Sequence, residues 1–382
     1  MASVRIQGAQ FSQLHKHPLL PRCPDYFILN LNRHLQHQHL RHSSSGKSHK
    51  RPSSSAKPSG KRIPSTSSTS TSSPDAINPP PSTRPATLDI PSPVSSDAAT
   101  ADKLKRYVAL GRAYLSFYKT GLKNVYHNYL ASLPIRQGLG IQGYLPRAPP
   151  IAAFIKNDEK NKDSTKYRVK STGLETKTDR STFQLLHRAA YDVRRMIPFA
   201  MILVFCGELT PLAVLILGNS VTPYTCRVPR QTEKYRSKRM NAKRAAFSAH
   251  SAAERGSVSL PEAGSDEEMD VLVRFADLDR MRKLSDAEVL RACAVFGLAR
   301  THMRPEALVG QFYRRRLRDF GQYLSLDDVL ISKSGGVKAM EAVEVRIAVE
   351  ERGGYGVAAG KEGWEGERME RRWLEKWLER SN

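Results

Sequence analysis

The sequence predicts an all-α protein with one transmembrane helix and a disordered N-terminus, and three observations predict it. From Met196 to Gly218 runs a 23-residue apolar stretch that carries a single charge, Glu208. On both sides of it, apolar residues recur at three- and four-residue steps, the period of an amphipathic helix, and no stretch reads as a strand ladder. Residues 1–74 hold eleven Lys/Arg, one acid (Asp25) and a long Ser/Pro/Thr-rich tract. Such a segment buries too little apolar surface to offset the entropy of ordering it.

The 382 residues carry a formal net charge of +24. The acid-poor, Arg- and Ser-containing start, residues 1–42, matches a mitochondrial transit region. A secretory signal needs a longer apolar core than "FILNL". The histidines of "HLQHQHLRH" lack a fixed second ligand set, so no metal site is expected there. Residues 43–100 read as a disordered linker, extended by its prolines and loosened by its serines.

Within 101–133, Leu104, Tyr107, Val108, Tyr114, Leu115, Tyr118, Leu122, Val125, Tyr126 and Tyr129 fall at helical steps opposite a basic face. That predicts an amphipathic helix, which packs on protein or lies in a membrane interface. Residues 134–180, with Pro149-Pro150 and "KNDEKNKDSTK", read as a loop. A pre-membrane helix follows at 181–195, capped by Ser181 or Thr182.

The transmembrane helix is placed at 196–220. At the helical rise the 23-residue run spans roughly 35 Å, enough for a hydrocarbon core of about 30 Å. After it, residues 222–247 hold eight Lys/Arg against one acid, Glu233. The positive-inside bias therefore puts the C-terminal half on the negative side of the membrane.

Residues 221–356 read as a helical domain with a loop at 248–268. Ser285 and Glu288 form a capping-box pair, and Gly297 is a helix stop. "LSLDDVLISKSGG" repeats that cap logic with Ser325 and Asp328. A C-terminal helix at 357–382 sets Trp373 and Trp377 one turn apart, a docking pattern.

Four widely scattered cysteines (Cys23, Cys206, Cys226, Cys293) give no disulfide framework and no zinc spacing. No P-loop, nucleophile elbow, zincin or dinucleotide fingerprint is present, so a non-enzyme without cofactor or metal is expected.

The residues "FYKTGLKN" (117–124), "DVRRMIPFAMILVFCGELTPLAVLILG" with "TPYTCRVPRQ" (192–231), "LSDAEVLRACAVFGL" (284–298), "LSLDDVLI" and "AVEERGG" together resemble the LETM family, the leucine-zipper/EF-hand-containing transmembrane proteins, in a fungal form. The resemblance covers roughly 101–356. It implies a single-pass mitochondrial inner-membrane protein whose matrix-facing, 14-3-3-like helical domain binds mitochondrial ribosomes and supports K+/H+ and volume homeostasis. No calcium loop and no long heptad run occur here, so calcium regulation and coiled-coil assembly do not carry over.

Two sets of candidate site residues follow. Glu208 is a costly charge for mid-bilayer, so it is protonated, paired or facing a polar path. Pro211 frees a backbone carbonyl one turn earlier, and Gly207 admits a second helix. These three point to a self-associating helix, hence a homo-oligomer, with either a proton- or cation-accepting carboxylate or a purely structural one. The second set is basic. Arg314, Arg315, Arg316 and Arg318, with Arg227, Arg230 and Lys234, suit contact with ribosomal RNA phosphates. The last three equally suit inner-membrane lipid head groups. Two other readings stay open: a cation/proton antiporter proper built on Glu208, and a soluble nucleic-acid-binding protein, because "LSDAEVLRACAVFGL" also resembles a SAP-type helix-turn-helix.

Overall fold

The computed structural model describes residues 74–93, 95, 99–141, 150–155, 176–206, 222–256, 260–305, 307, 309–358, 360, 361 and 363–381. The described residues fold as helices, with one isolated bridge between Ile155 and Thr176 and no strand among them. The transit region and most of the linker lie outside the described residues.

The end of the expected linker is built into the fold. A short helix, α1 (Pro74–Ile77), and a 3₁₀ turn, Pro81–Thr83, dock onto the body. Ile77 and Thr83 are buried, and the Asn78 amide donates to Ala339 O and accepts from Glu341 N. The expectation of a disordered linker up to residue 100 fails over 74–84, because these prolines fix a turn that presents Ile77 and Asn78 to partners about 260 residues away.

The first long helix, α2 (Thr100–Gly138), outruns its expected end at 133 and carries Pro134 inside it. The last turn is held by Ile135 and Leu139, which pack on the core. The next, α3 (Arg180–Cys206), joins the pre-membrane helix and the start of the apolar run in one element that continues through Pro198. No described helix is long and apolar enough to cross a membrane. The expected span at 196–220 is described only through Cys206.

After the 3₁₀ turn Tyr224–Cys226 comes α4 (Pro229–Arg255), closed by Gly256 at φ 64°. It takes in the first part of the loop expected at 248–268, because Ala246, Phe247 and His250 are buried and His250 meets the Phe275 ring edge-on at 5.1 Å. Then follow α5 (Asp266–Ala276), α6 (Leu278–Met281) and α7 (Asp286–Val295). The α7 cap is as the sequence predicts: Ser285 and Glu288 satisfy each other's backbone, and Gly297 adopts φ 65°.

Helix α8 (Arg314–Lys333) runs unbroken through Ser325, so no new helix starts there. Asp327 and Asp328 are ion-pair partners rather than capping residues. Helix α9 (Ala342–Glu351) and α10 (Gly363–Ser381) complete the body. Trp373 and Trp377 stack at 5.7 Å and are buried against the core. Helix α7 lies at the centre, with Val289, Leu290, Cys293 and Val295 all buried.

Candidate functional site

The site sits where α2 and α3 leave the body. The two helices are antiparallel. At one level, the Asn128 amide of α2 donates to Ser82 O and Arg188 of α3 donates to Thr83 Oγ1. At the next level, Gly121 of α2 and Asp192 of α3 both touch the turn Tyr224–Cys226. Beyond it, the N-terminal half of α2 and the C-terminal end of α3 project from the body in the same direction.

That turn is a close fit. A Cβ on Gly121 would lie 2.8 Å from Cys226 Sγ and 2.9 Å from Thr225 O, so only glycine lets α2 approach. Asp192 is buried and accepts from Tyr224 N at 2.6 Å and Thr225 N at 3.4 Å. Burial pushes its carboxyl up against the pull of those two N–H groups. Burial also lifts the Cys226 thiol to about 12, which makes it an inert core group.

Around the turn lies a collar of arginine and tyrosine. The Arg227 guanidinium donates to Tyr191 OH at 2.6 Å and lies over the Tyr191, Tyr224 and Tyr235 rings. Arg195 also stacks on the Tyr191 ring, at 4.5 Å. Above the collar, α3 carries exposed apolar side chains: Ile197, Met201, Val204 and Phe205, the last two 80% and 81% exposed.

Below the collar, α3 is locked into the body by buried charge. The Arg180 Nε donates to Asp327 at 2.9 Å and the Gln184 amide to the same oxygen at 2.8 Å. Arg188 grips both oxygens of Glu344 at 2.8 Å each. Arg352 donates to Asp327 and Asp328, each at 2.9 Å, and the Trp377 indole donates to Asp328 at 3.1 Å. Three arginines thus meet three carboxylates, nearly all of them out of water.

Burial would raise Asp327, but Arg180 and Arg352 prevail and hold it well below the usual carboxylate range. Burial prevails at Asp328 and Glu351, whose carboxyls are raised; Glu351 accepts from Tyr323 OH at 2.9 Å. His187 stacks on the Tyr323 ring at 4.3 Å. Burial, then Arg188, lowers it to about 4.

The sequence-predicted site residues are dispersed. Glu208, Pro211 and Gly207 lie outside the described residues. Arg227 is buried in the collar, whereas Arg230 and Lys234 are exposed on α4 and share a face with exposed Lys238. The arginines of "RRRLR" divide by role. Arg314 is half-buried, donating to Leu284 O and Asp286, and Arg316 donates to Leu298 O. Arg315 and Arg318 face solvent, each within 4 Å of Asp319.

Sequence reasoning missed the ionic lock and Asp192. A signal existed: Arg180, Gln184, Arg188 and Asp192 fall every fourth residue, on one face of one helix. "LSDAEVLRACAVFGL" belongs to the core, with Val289 through Phe296 buried apart from the half-buried Arg291. That leaves no free helix face there to enter a nucleic-acid groove. No protein-family model, curated protein or solved structure matches the chain.

Proposed function

We propose that this chain is a membrane-anchored protein of the LETM type: a mitochondrial inner-membrane protein whose 14-3-3-like helical body binds the ribosome and so supports K+/H+ and volume homeostasis. The observation that carries the reading is the bare apolar end of α3, leaving an ion-pair-locked body through an arginine–tyrosine collar. Exposed Ile197, Met201, Val204 and Phe205 suit hydrocarbon, and arginine and tyrosine suit the interface beside it. Arg230, Lys234 and Lys238, on the first turns of α4 after the collar, suit anionic lipid head groups.

In this reading the ribosome contact falls to Arg315 and Arg318, because the equally exposed Arg316 is held by Leu298 O. The antiporter alternative and self-association rest on Glu208, Pro211 and Gly207, and no described residue favours them. The test is sedimentation of detergent-solubilised mitochondria at low and high salt. The chain is expected with the large ribosomal subunit at low salt and free of it at high salt. Arg315→Ala with Arg318→Ala should flatten the salt dependence by about two units of log–log slope. Absence from the ribosomal fractions at low salt would refute the ribosomal part.

A further inference from the structure

Both ends of the apolar excursion are tied to one place. Asp192 on α3 precedes it, and Tyr224 and Thr225, which donate to that carboxylate, follow it. Arg227 on the far side grips Tyr191 on the near side. The flanks are joined again deeper in the body. Arg180 and Arg188, before the excursion, pair with Asp327 and Glu344, after it. A single crossing would leave these partners on opposite faces of a bilayer, more than 30 Å apart. The sequence-based orientation, with the two halves on opposite sides, does not fit this packing.

The length of chain decides how deep the excursion goes. Residues 193–223, thirty-one in all, lie between the anchors. Crossing a core of about 30 Å and returning takes about forty residues as helix. An extended chain would cover the distance, but it would leave its backbone groups unsatisfied in hydrocarbon. Out and back, the thirty-one residues allow each limb at most about 23 Å at the helical rise. That is one leaflet and part of the next.

We infer that the described end of α3, Ile197 to Phe205, inserts into one leaflet of a bilayer, and that the chain enters and leaves the membrane on the same side. The inference rests on the membrane-anchoring reading and replaces a spanning anchor with a monotopic one. The occupant of the apolar face is lipid hydrocarbon, and three features select it. The apolar run continues beyond Phe205 with one charge, Glu208, before Gly218. The arginine–tyrosine collar rings the base of the arm at the level of head groups. The cationic face of α4 begins four residues past the 3₁₀ turn that closes the excursion, at Arg230.

The full chain, with an epitope at each terminus, is to be synthesised in a cell-free reaction beside preformed sealed vesicles of phosphatidylcholine with one-third phosphatidylglycerol. The vesicles are then floated, extracted with carbonate and digested with protease from outside. We expect flotation that survives carbonate and loss of both epitopes. Flotation with one epitope protected would overturn the one-sided topology and leave the anchoring reading standing. A chain that remains in the aqueous fraction, whether monomer or dimer, would overturn both, and a dimer would assign the apolar face to a second copy. Val204→Asp with Phe205→Asp should cut flotation at least tenfold with an unchanged circular dichroism spectrum. Unimpaired flotation of that variant would remove this face from the membrane.

Discussion

Replacing Arg352 with Met puts the buried lock to a quantitative test. In the native body, Arg352 is the cation paired with Asp328, whereas Asp327 shares Arg352 with Arg180, and Glu344 is paired with Arg188, Arg180 and Arg84. The variant keeps the volume but removes the cation paired with Asp328. Asp328 takes the consequence, because Asp327 retains Arg180 and Gln184 while Asp328 retains only the Trp377 indole from among its charged and donor side-chain partners. Its acid form is already favoured by burial. Protonating a carboxyl of ordinary pKa near 3.9 costs about 4 kcal/mol at pH 7 and about 1.5 kcal/mol at pH 5. The first figure matches the ~3–5 kcal/mol typical of breaking a buried pair by removing one partner. The sign follows from the proton. The variant's folded state binds one that the unfolded chain releases, so its penalty grows as pH rises. Urea unfolding followed by the fluorescence of the buried Trp373–Trp377 pair, at both pH values, reads the difference. A loss under about 1 kcal/mol at pH 7, or an equal loss at both values, would refute the charge-balance argument. Removing Asp328 as well, as Leu, should restore part of the stability.

Two other outcomes are expected. His187 has its folded pKa lowered to about 4, beneath its ordinary 6.5. Its contribution is therefore full above about 6.5 and is lost as pH falls toward 4. His187 is only half-buried, which trims the ~3 kcal/mol ceiling to about 2 kcal/mol. Between pH 7 and 4.5 the native chain should lose that amount relative to His187→Phe, which keeps the stack on Tyr323; equal pH slopes would exclude His187. Gly121→Val forces a side chain onto Cys226 Sγ and Thr225 O. It should lower stability by about 1–3 kcal/mol, seen as a drop in Tm, and make Cys226 reactive to thiol reagents.

Local signals in the sequence were the readable ones. Ser285, Glu288 and Gly297 define α7 within thirteen residues, and Trp373 with Trp377 marks the buried face of α10 in one turn. Features that depend on distant partners were not. The Pro-rich approach to Ile77 has the composition of a linker, and only Ala339 and Glu341 make it a docked turn. Ser325 has the residue type of a cap, yet its neighbours Leu324, Leu326 and Leu330 are buried in the core and carry the helix through. Arg180 and Arg188 read as basic flank, because the carboxylates that neutralise them come about 150 residues later. The apolar run itself was legible, but the docking of its two flanks on one another was not. The return to Asp192 depends on two backbone N–H groups, and no side-chain pattern announces those.

The separation of Arg188 from Glu344 also sets an order of events during synthesis. The two are 156 residues apart. At about 5–20 residues per second, Arg188 waits roughly 8–30 s for its partner to be made. Asn78 waits longer, for Glu341. The apolar end of α3 is therefore made before the residues of the body that hold its flanks. The body closes last from its C-terminal end, where Glu344 and Asp327 supply the carboxylates of the lock.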